Sequence, residues 1–132
     1  MGCDAYTHIE VKINDNWEHY TYVNMSRNHD LYGTMANVRN ENNRVNPISK
    51  PRGMPDDANK LTKFEANVND GRYHSFLSMD EMIFLEKEML EVYNYAIDYG
   101  YIFGNNLENY RNYPEDTPEG VTDIRLVFWF SE

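Results

Sequence analysis

The segment VTDIRLVFWF, residues 121–130, is the tightest constraint on how this chain can fold. From Ile124 onward it is almost unbroken β-branched, aliphatic and aromatic sequence. It is too short to cross a bilayer. It is also too continuous for a strand with one wet face, so it predicts a strand buried on both faces near the centre of a sheet.

A strand of a different kind is expected near the other end. CDAYTHIEVKI, residues 3–13, alternates, with Cys3, Ala5, Thr7, Ile9, Val11 and Ile13 on one face. Asp4, Tyr6, His8, Glu10 and Lys12 take the other, as in a half-buried strand. Asn14-Asp15-Asn16 is turn chemistry and WEHYTYV reads as a second strand, so residues 3–23 are expected to form a hairpin.

Between these strands the period changes. HDLYGTMANVR, residues 29–39, places Leu31, Met35, Ala36 and Val38 near helical spacing, with Asn28 as N-cap and Asp30 in the first turn. Gly33 weakens that helix by roughly 1 kcal/mol relative to alanine. Residues 40–60 read as loop. Residues 61–71 fit neither period decisively, and RYHSFL reads as a short strand entering the next helix. Ser78 and Glu81 form a capping box for that helix. Met79, Met82, Ile83, Leu85, Met89, Leu90, Val92, Tyr93, Ala96 and Ile97 then recur at three and four, with Gly100 or Gly104 as the stop. This methionine stripe reads as core. Residues 105–120 read as a polar surface excursion. The sum is an α+β domain over residues 1–132: a mostly antiparallel sheet with a short helix and one long amphipathic helix on one face.

Composition narrows the function classes. A chain of 132 residues with 41% hydrophobic and 14% aromatic residues can bury a core without staples and is not a disordered segment. Cys3 is the lone cysteine, so neither an internal disulfide nor a thiolate zinc site is expected, and a reducing cytoplasm fits best. No signal-peptide pattern is present. Gly2 would suit myristoylation, but Tyr6 stands where that motif needs Ser or Thr. The net charge of −10 argues against duplex DNA as a partner, and no membrane partner is indicated. The charge is uneven. Residues 27–72 carry eight basic and six acidic groups, against four and sixteen elsewhere, a local basic strip suited to a small anion.

Five segments form a specific combination in this order: MGCD, RNHDLYGTMANVRN, NPISKPRGMPDD, DGRYHSFLSMDEM and IRLVFWF. In them the chain resembles a family of small, uncharacterised phage proteins. Members open MGCDIH, carry RNYDLF-like, VRN-like and PISxPRGxP segments and a histidine-serine segment, and close on a VFWF-type strand. The resemblance runs almost from end to end. It implies a phage origin and a place in the host cell cytoplasm, and little chemistry. One position departs: the histidine of MGCDIH corresponds to Tyr6, with His8 two residues on along the same strand face.

Three constellations are candidates for chemistry. Asp4, His8 and Glu10 on one strand face, with His74, have metal-ligand chemistry, although the same face can simply be solvated. Arg27, Arg39 and Arg52, with Arg125 beside them, offer guanidinium forks that grip phosphate or carboxylate at two points. Asn28, Asp30 and Asn40 neighbour these arginines and suit a ribose or base edge. Gly53, between Pro51 and Pro55, lets a ligand approach the backbone. The alternative is that these arginines pair with acids such as Asp4, Asp30, Asp56 or Asp57. His74-Ser75 with Asp70 lacks triad geometry, because neighbouring strand residues point to opposite faces. His74 better suits a hydrogen bond to a ligand or a cap on the nearby helix. No cofactor is expected.

The leading expectation is therefore a non-enzymatic phage protein that holds a small, nucleotide-like anion, a host defence signal by the resemblance. Asp4, Tyr6, Arg27, Asn28, Asp30, Arg39, Asn40, Arg52, Gly53 and His74 would contact it, and Tyr6, Tyr32 or Tyr73 would stack on its base. A second is an acidic inhibitor of a host defence nuclease, presenting Glu86, Glu88, Glu91, Glu115, Asp116 and Glu119. A third is a metal-assisted hydrolase built on Asp4, His8, Glu10 and His74.

Overall fold

The chain folds as a four-stranded antiparallel sheet with helices, an α+β architecture. The computed structural model describes residues 2–97, 99 and 120–131. The elements are β1 (Ala5–Ile13), β2 (Asn16–Val23), α1 (His29–Ala36), α2 (Lys60–Asn69), β3 (Arg72–Ser78), α3 (Met79–Tyr93) and β4 (Val121–Phe130). The strand order is β2-β1-β4-β3.

β4 lies between β1 and β3, and Ile124 through Phe130 are all buried. Its two faces do different work. Ile124, Leu126, Phe128 and Phe130 join Ile9, Val11 and Leu77 in the main core, against Leu31, Tyr32 and Met35 of α1 and Met82, Leu85 and Met89 of α3. Each such side chain contributes about 1.5–3 kcal/mol on burial. Arg125, Val127 and Trp129 point the other way, in register with Glu10, His8 and Tyr6 of β1.

That second face is covered by the 61–71 stretch whose period was ambiguous. Asn59 caps α2 through the Leu61 N–H, and Asp70 closes it in the left-handed region. Leu61, Phe64 and Val68 face solvent, so the apolar residues of α2 do not mark its buried side. The helix docks through polar atoms: Thr62 Oγ1 donates to Glu10 Oε2 at 2.7 Å, and Tyr22 Oη donates to Glu65 Oε1 at 3.2 Å. His8 and Glu10 are consequently buried, and the solvated-face reading of β1 does not hold for them.

Two helix ends differ from expectation. α1 stops at Ala36 rather than running to Arg39, because Asn37 adopts the left-handed region and its N–H returns to Gly33 O. α3 ends at Tyr93 with Asn94 as a left-handed cap, ahead of both expected glycines. Asparagine tolerates this conformation through local hydrogen bonding, so it stops helices much as glycine does. Gly100, Gly104 and the excursion before Gly120 lie outside the described residues.

β3 is an edge strand, and the proline-rich loop runs along its outer side. The Gly53 N–H donates to His74 O at 2.7 Å, and Arg52 Nη1 donates to Phe76 O at 2.9 Å. The loop thus satisfies acceptors that an open edge would leave unpaired.

Candidate functional site

Arg27 and Arg52 are held by acids and do not enter one site with Arg39. Arg27 Nε donates to Asp4 Oδ1 at 2.6 Å, and this partner holds the Asp4 carboxyl below its ordinary range. Arg52 grips Glu81 with both terminal nitrogens, at 2.7 and 2.6 Å, and packs over the Phe76 ring. The same Glu81 Oε1 accepts from the Ser78 N–H as half of the capping box. The Arg52 guanidinium first, and the Ser78 N–H after it, bring the Glu81 pKa down to about 2. Arg52 therefore ties the loop to the start of α3. It is not displayed to a ligand.

Most of the other expected contacts are also committed to the fold. Asn28 Oδ1 caps α1 by accepting from the Leu31 N–H at 3.1 Å. Asp30 accepts from Arg44 Nε at 2.8 Å. Asn40 staples its own loop, donating to Val45 O and Asn37 Oδ1 and accepting from the Val45 N–H. Tyr6 stacks on Trp129 with ring centroids 6.1 Å apart, and Tyr32 is fully buried. Arg125 donates from Nε to Glu10 Oε1 at 2.9 Å, reaches Asp57 through Nη1, and lies over the Trp17 ring at 4.0 Å.

The proposed metal ligands do not converge. Asp4 is bonded to Arg27. His8 stacks on Trp129 at 4.8 Å, with its Nδ1 3.0 Å from His19 Nε2. Glu10 is filled by Arg125, Thr62 Oγ1 and the Asn59 N–H. Burial, and then the neighbouring His19, push the His8 pKa down to about 4, so this ring is neutral near pH 7. Among the described residues no three His, Cys, Asp or Glu side chains gather as a metal site.

A cavity of about 420 Å³ collects a different basic set. Arg39, Lys50 and Arg72 line it with Asn37, Val38, Pro51 and Tyr73. Among the described residues its lining has no acidic side chain, and neither Lys50 nor Arg72 has an ion-pair partner. Three segments build it: the turn after α1, the proline-rich loop and the first residues of β3.

The backbone is strained at this cavity. Among the described residues, left-handed φ occurs at glycine, at several Asn and Asp, and at two bulky residues only: Arg39 (φ 56°) and Tyr73 (φ 61°). Both line the same cavity. Asn and Asp reach this region cheaply, whereas a bulky residue there costs on the order of 1–3 kcal/mol. At Tyr73 the cause is visible. The β3–β4 register slips by one residue between Arg72 and Ser75, a bulge that re-aims the side chains of Tyr73 and His74. Tyr73 is left 48% exposed.

No family model, curated protein or solved structure matches this chain. The site rests on its own geometry.

A second cavity, of about 550 Å³, lies beside the first and shares Pro51 with it. Gly53 and His74 line this one, with Met54, Lys63, Ala66 and Asn67. The expected site residues thus divide: Arg39 lines the basic cavity, Gly53 and His74 the second, and Asp4, Tyr6, Arg27, Asn28, Asp30, Asn40 and Arg52 line neither. Arg72, which lines the basic cavity, is not among the residues singled out from the sequence. It belongs to the basic strip over residues 27–72, and that charge asymmetry was the signal for it.

Proposed function

We propose that the chain is a phage-encoded binding protein for a small phosphorylated, nucleotide-like anion. Lys50, Arg72 and Arg39 would hold the phosphate, and the exposed Tyr73 ring would stack on a base. The reading is carried by one observation: the two bulky residues in strained backbone both line the cavity where basic side chains gather. Strain of this kind persists where surrounding structure enforces it and concentrates at binding sites. Planar guanidinium groups and an ammonium suit phosphate oxygens. Sequestration of a host defence signal is the role that the phage resemblance adds.

The test is calorimetry of the purified protein against nucleoside mono-, di- and triphosphates and pyrophosphate. Lys50→Glu and Arg72→Glu are expected to abolish binding. Arg52→Ala is expected to lower stability by about 1–2 kcal/mol, the loss of charge-assisted hydrogen bonds, with affinity unchanged. No binding by any of these anions would refute the proposal.

A second reading, an acidic inhibitor of a host defence nuclease, draws on α3. There Glu88 and Glu91 lie near Phe84 and Leu90, which are 51% and 53% exposed. Exposed apolar groups beside carboxylates suit a protein partner. Glu115, Asp116 and Glu119 lie outside the described residues. Reversing the charge of Glu86, Glu88 and Glu91 would block nuclease binding under this reading and leave nucleotide binding intact.

A further inference from the structure

The two neighbouring cavities carry an inference about ligand class, one that rests on the anion-binding reading. Pro51 is a common wall, with Lys50 on the basic side and Gly53 and Met54 on the other. Across from the loop, consecutive residues of the β3 bulge divide in the same way: Tyr73 lines the basic cavity and His74 the second. One loop and one bulge therefore shape both cavities together.

Their chemistry differs. The basic cavity has cations and a tyrosine ring. The second offers Met54 and Ala66, the His74 imidazole, the Asn67 amide and a single cation, Lys63, whose Nζ donates to Asp56 O at 2.7 Å. The His74 ring stacks on buried Trp129 at 5.7 Å, which fixes its plane. Gly53 adopts φ +89°, and a Cβ there would meet no atom within 4 Å, so the second cavity is open where the loop backbone borders it. Apolar walls with an amide and an imidazole suit an uncharged heterocycle, whose faces need packing and whose edge needs donors and acceptors. With one ammonium, already bonded to a carbonyl, against three cations in the basic cavity, they suit a second phosphate less well.

We infer that the ligand is a dinucleotide. Its phosphates sit among Lys50, Arg72 and Arg39, one base stacks on Tyr73, and the second base crosses Pro51 into the cavity lined by Met54, Ala66, Asn67 and His74. A mononucleotide fills the basic side alone. A 5′-phosphorylated dinucleotide supplies more negative charge to the cations and a ring for each cavity.

Calorimetry with a 5′-phosphorylated dinucleotide, the matching nucleoside 5′-monophosphate and pyrophosphate tests this. The dinucleotide is expected to bind at least tenfold more tightly than the monophosphate. Ala66→Trp, which fills the second cavity, is expected to reduce dinucleotide affinity to that of the monophosphate. Asn67→Trp fills the same cavity from an exposed position and replaces it if the first variant fails to fold. Equal affinity of dinucleotide and monophosphate for the parent protein overturns the inference and leaves the anion site standing. An advantage that survives a folded cavity-filling variant also overturns it. Failure of all three probes to bind removes the anion site itself.

Discussion

At Tyr73 the proposed stacking role can be told apart from a role in the fold. Its ring is half exposed, and its backbone sits where a side chain is unfavourable. Tyr73→Gly removes that strain and adds chain entropy to the unfolded state, two effects of about 1 kcal/mol each and opposite sign. Urea unfolding should therefore show stability within about 1 kcal/mol of the parent, while nucleotide affinity falls at least tenfold. A large loss of stability would show that the ring is structural. His8 makes the opposite case, a polar residue whose role lies in the fold. It is 2% exposed, stacked on Trp129, and packed edge-on to His19 and Tyr22. Its folded pKa of about 4 lies below the ordinary 6.5. Its neutral ring therefore stabilises the fold fully above pH 6.5, and that contribution is lost as pH falls towards 4, worth on the order of 3 kcal/mol in all. His19 is also pushed down by burial and adds loss of the same sign. Unfolding followed between pH 7 and 4 should show a shallower decline for His8→Phe, which keeps the stacking and removes one titrating group.

At the scale of elements, the turn from α2 into β3 is set by how closely the indole of β4 approaches it. A Cβ on Gly71 would lie 2.3 Å from Trp129 Cδ1 and 2.6 Å from Phe130 O. Gly71→Ala should therefore cost about 1–3 kcal/mol, as overpacking does, and thermal unfolding would read it directly. The neighbouring bulge shows why part of the site was not legible in sequence. RYHSFL reads as a strand, but nothing in it announces the extra residue between Arg72 and Ser75 that turns Tyr73 and His74 into the two cavities. α2 was obscured for another reason. Its apolar residues Leu61, Phe64 and Val68 face outward and its buried contacts run through Thr62 and Asn59, so hydrophobic period gave no guide. Arg52 was misread because its partner, Glu81, lies on α3, and a sequence does not disclose such a distant ion pair.

For the molecule as a whole, the parts read most clearly were those whose residues answer to burial alone. The unbroken apolar run of β4 announced its central position, and the alternation of β1 separated Ile9 and Val11 from His8 and Glu10. What burial alone could not disclose was polar cover. Glu10 is buried because Arg125 of β4 and, from the start of α2, Thr62 and the Asn59 N–H converge on it from two separate segments. The charge asymmetry marked the region in which Arg39, Lys50 and Arg72 line one cavity, but not that Arg27 and Arg52 are paired with Asp4 and Glu81. The position of β4 also governs when the protein can form during synthesis. β1 and β3 meet only through β4, which the ribosome adds long after both. Until residues 121–130 emerge, β1 has only β2 beside it and Leu77 of β3 has no strand to lie beside, and the nascent chain must be kept from aggregating by other means. A chain stopped before Val121 should show no cooperative unfolding and rapid proteolysis, so even a late nonsense mutation in the coding sequence would be a complete loss of the protein.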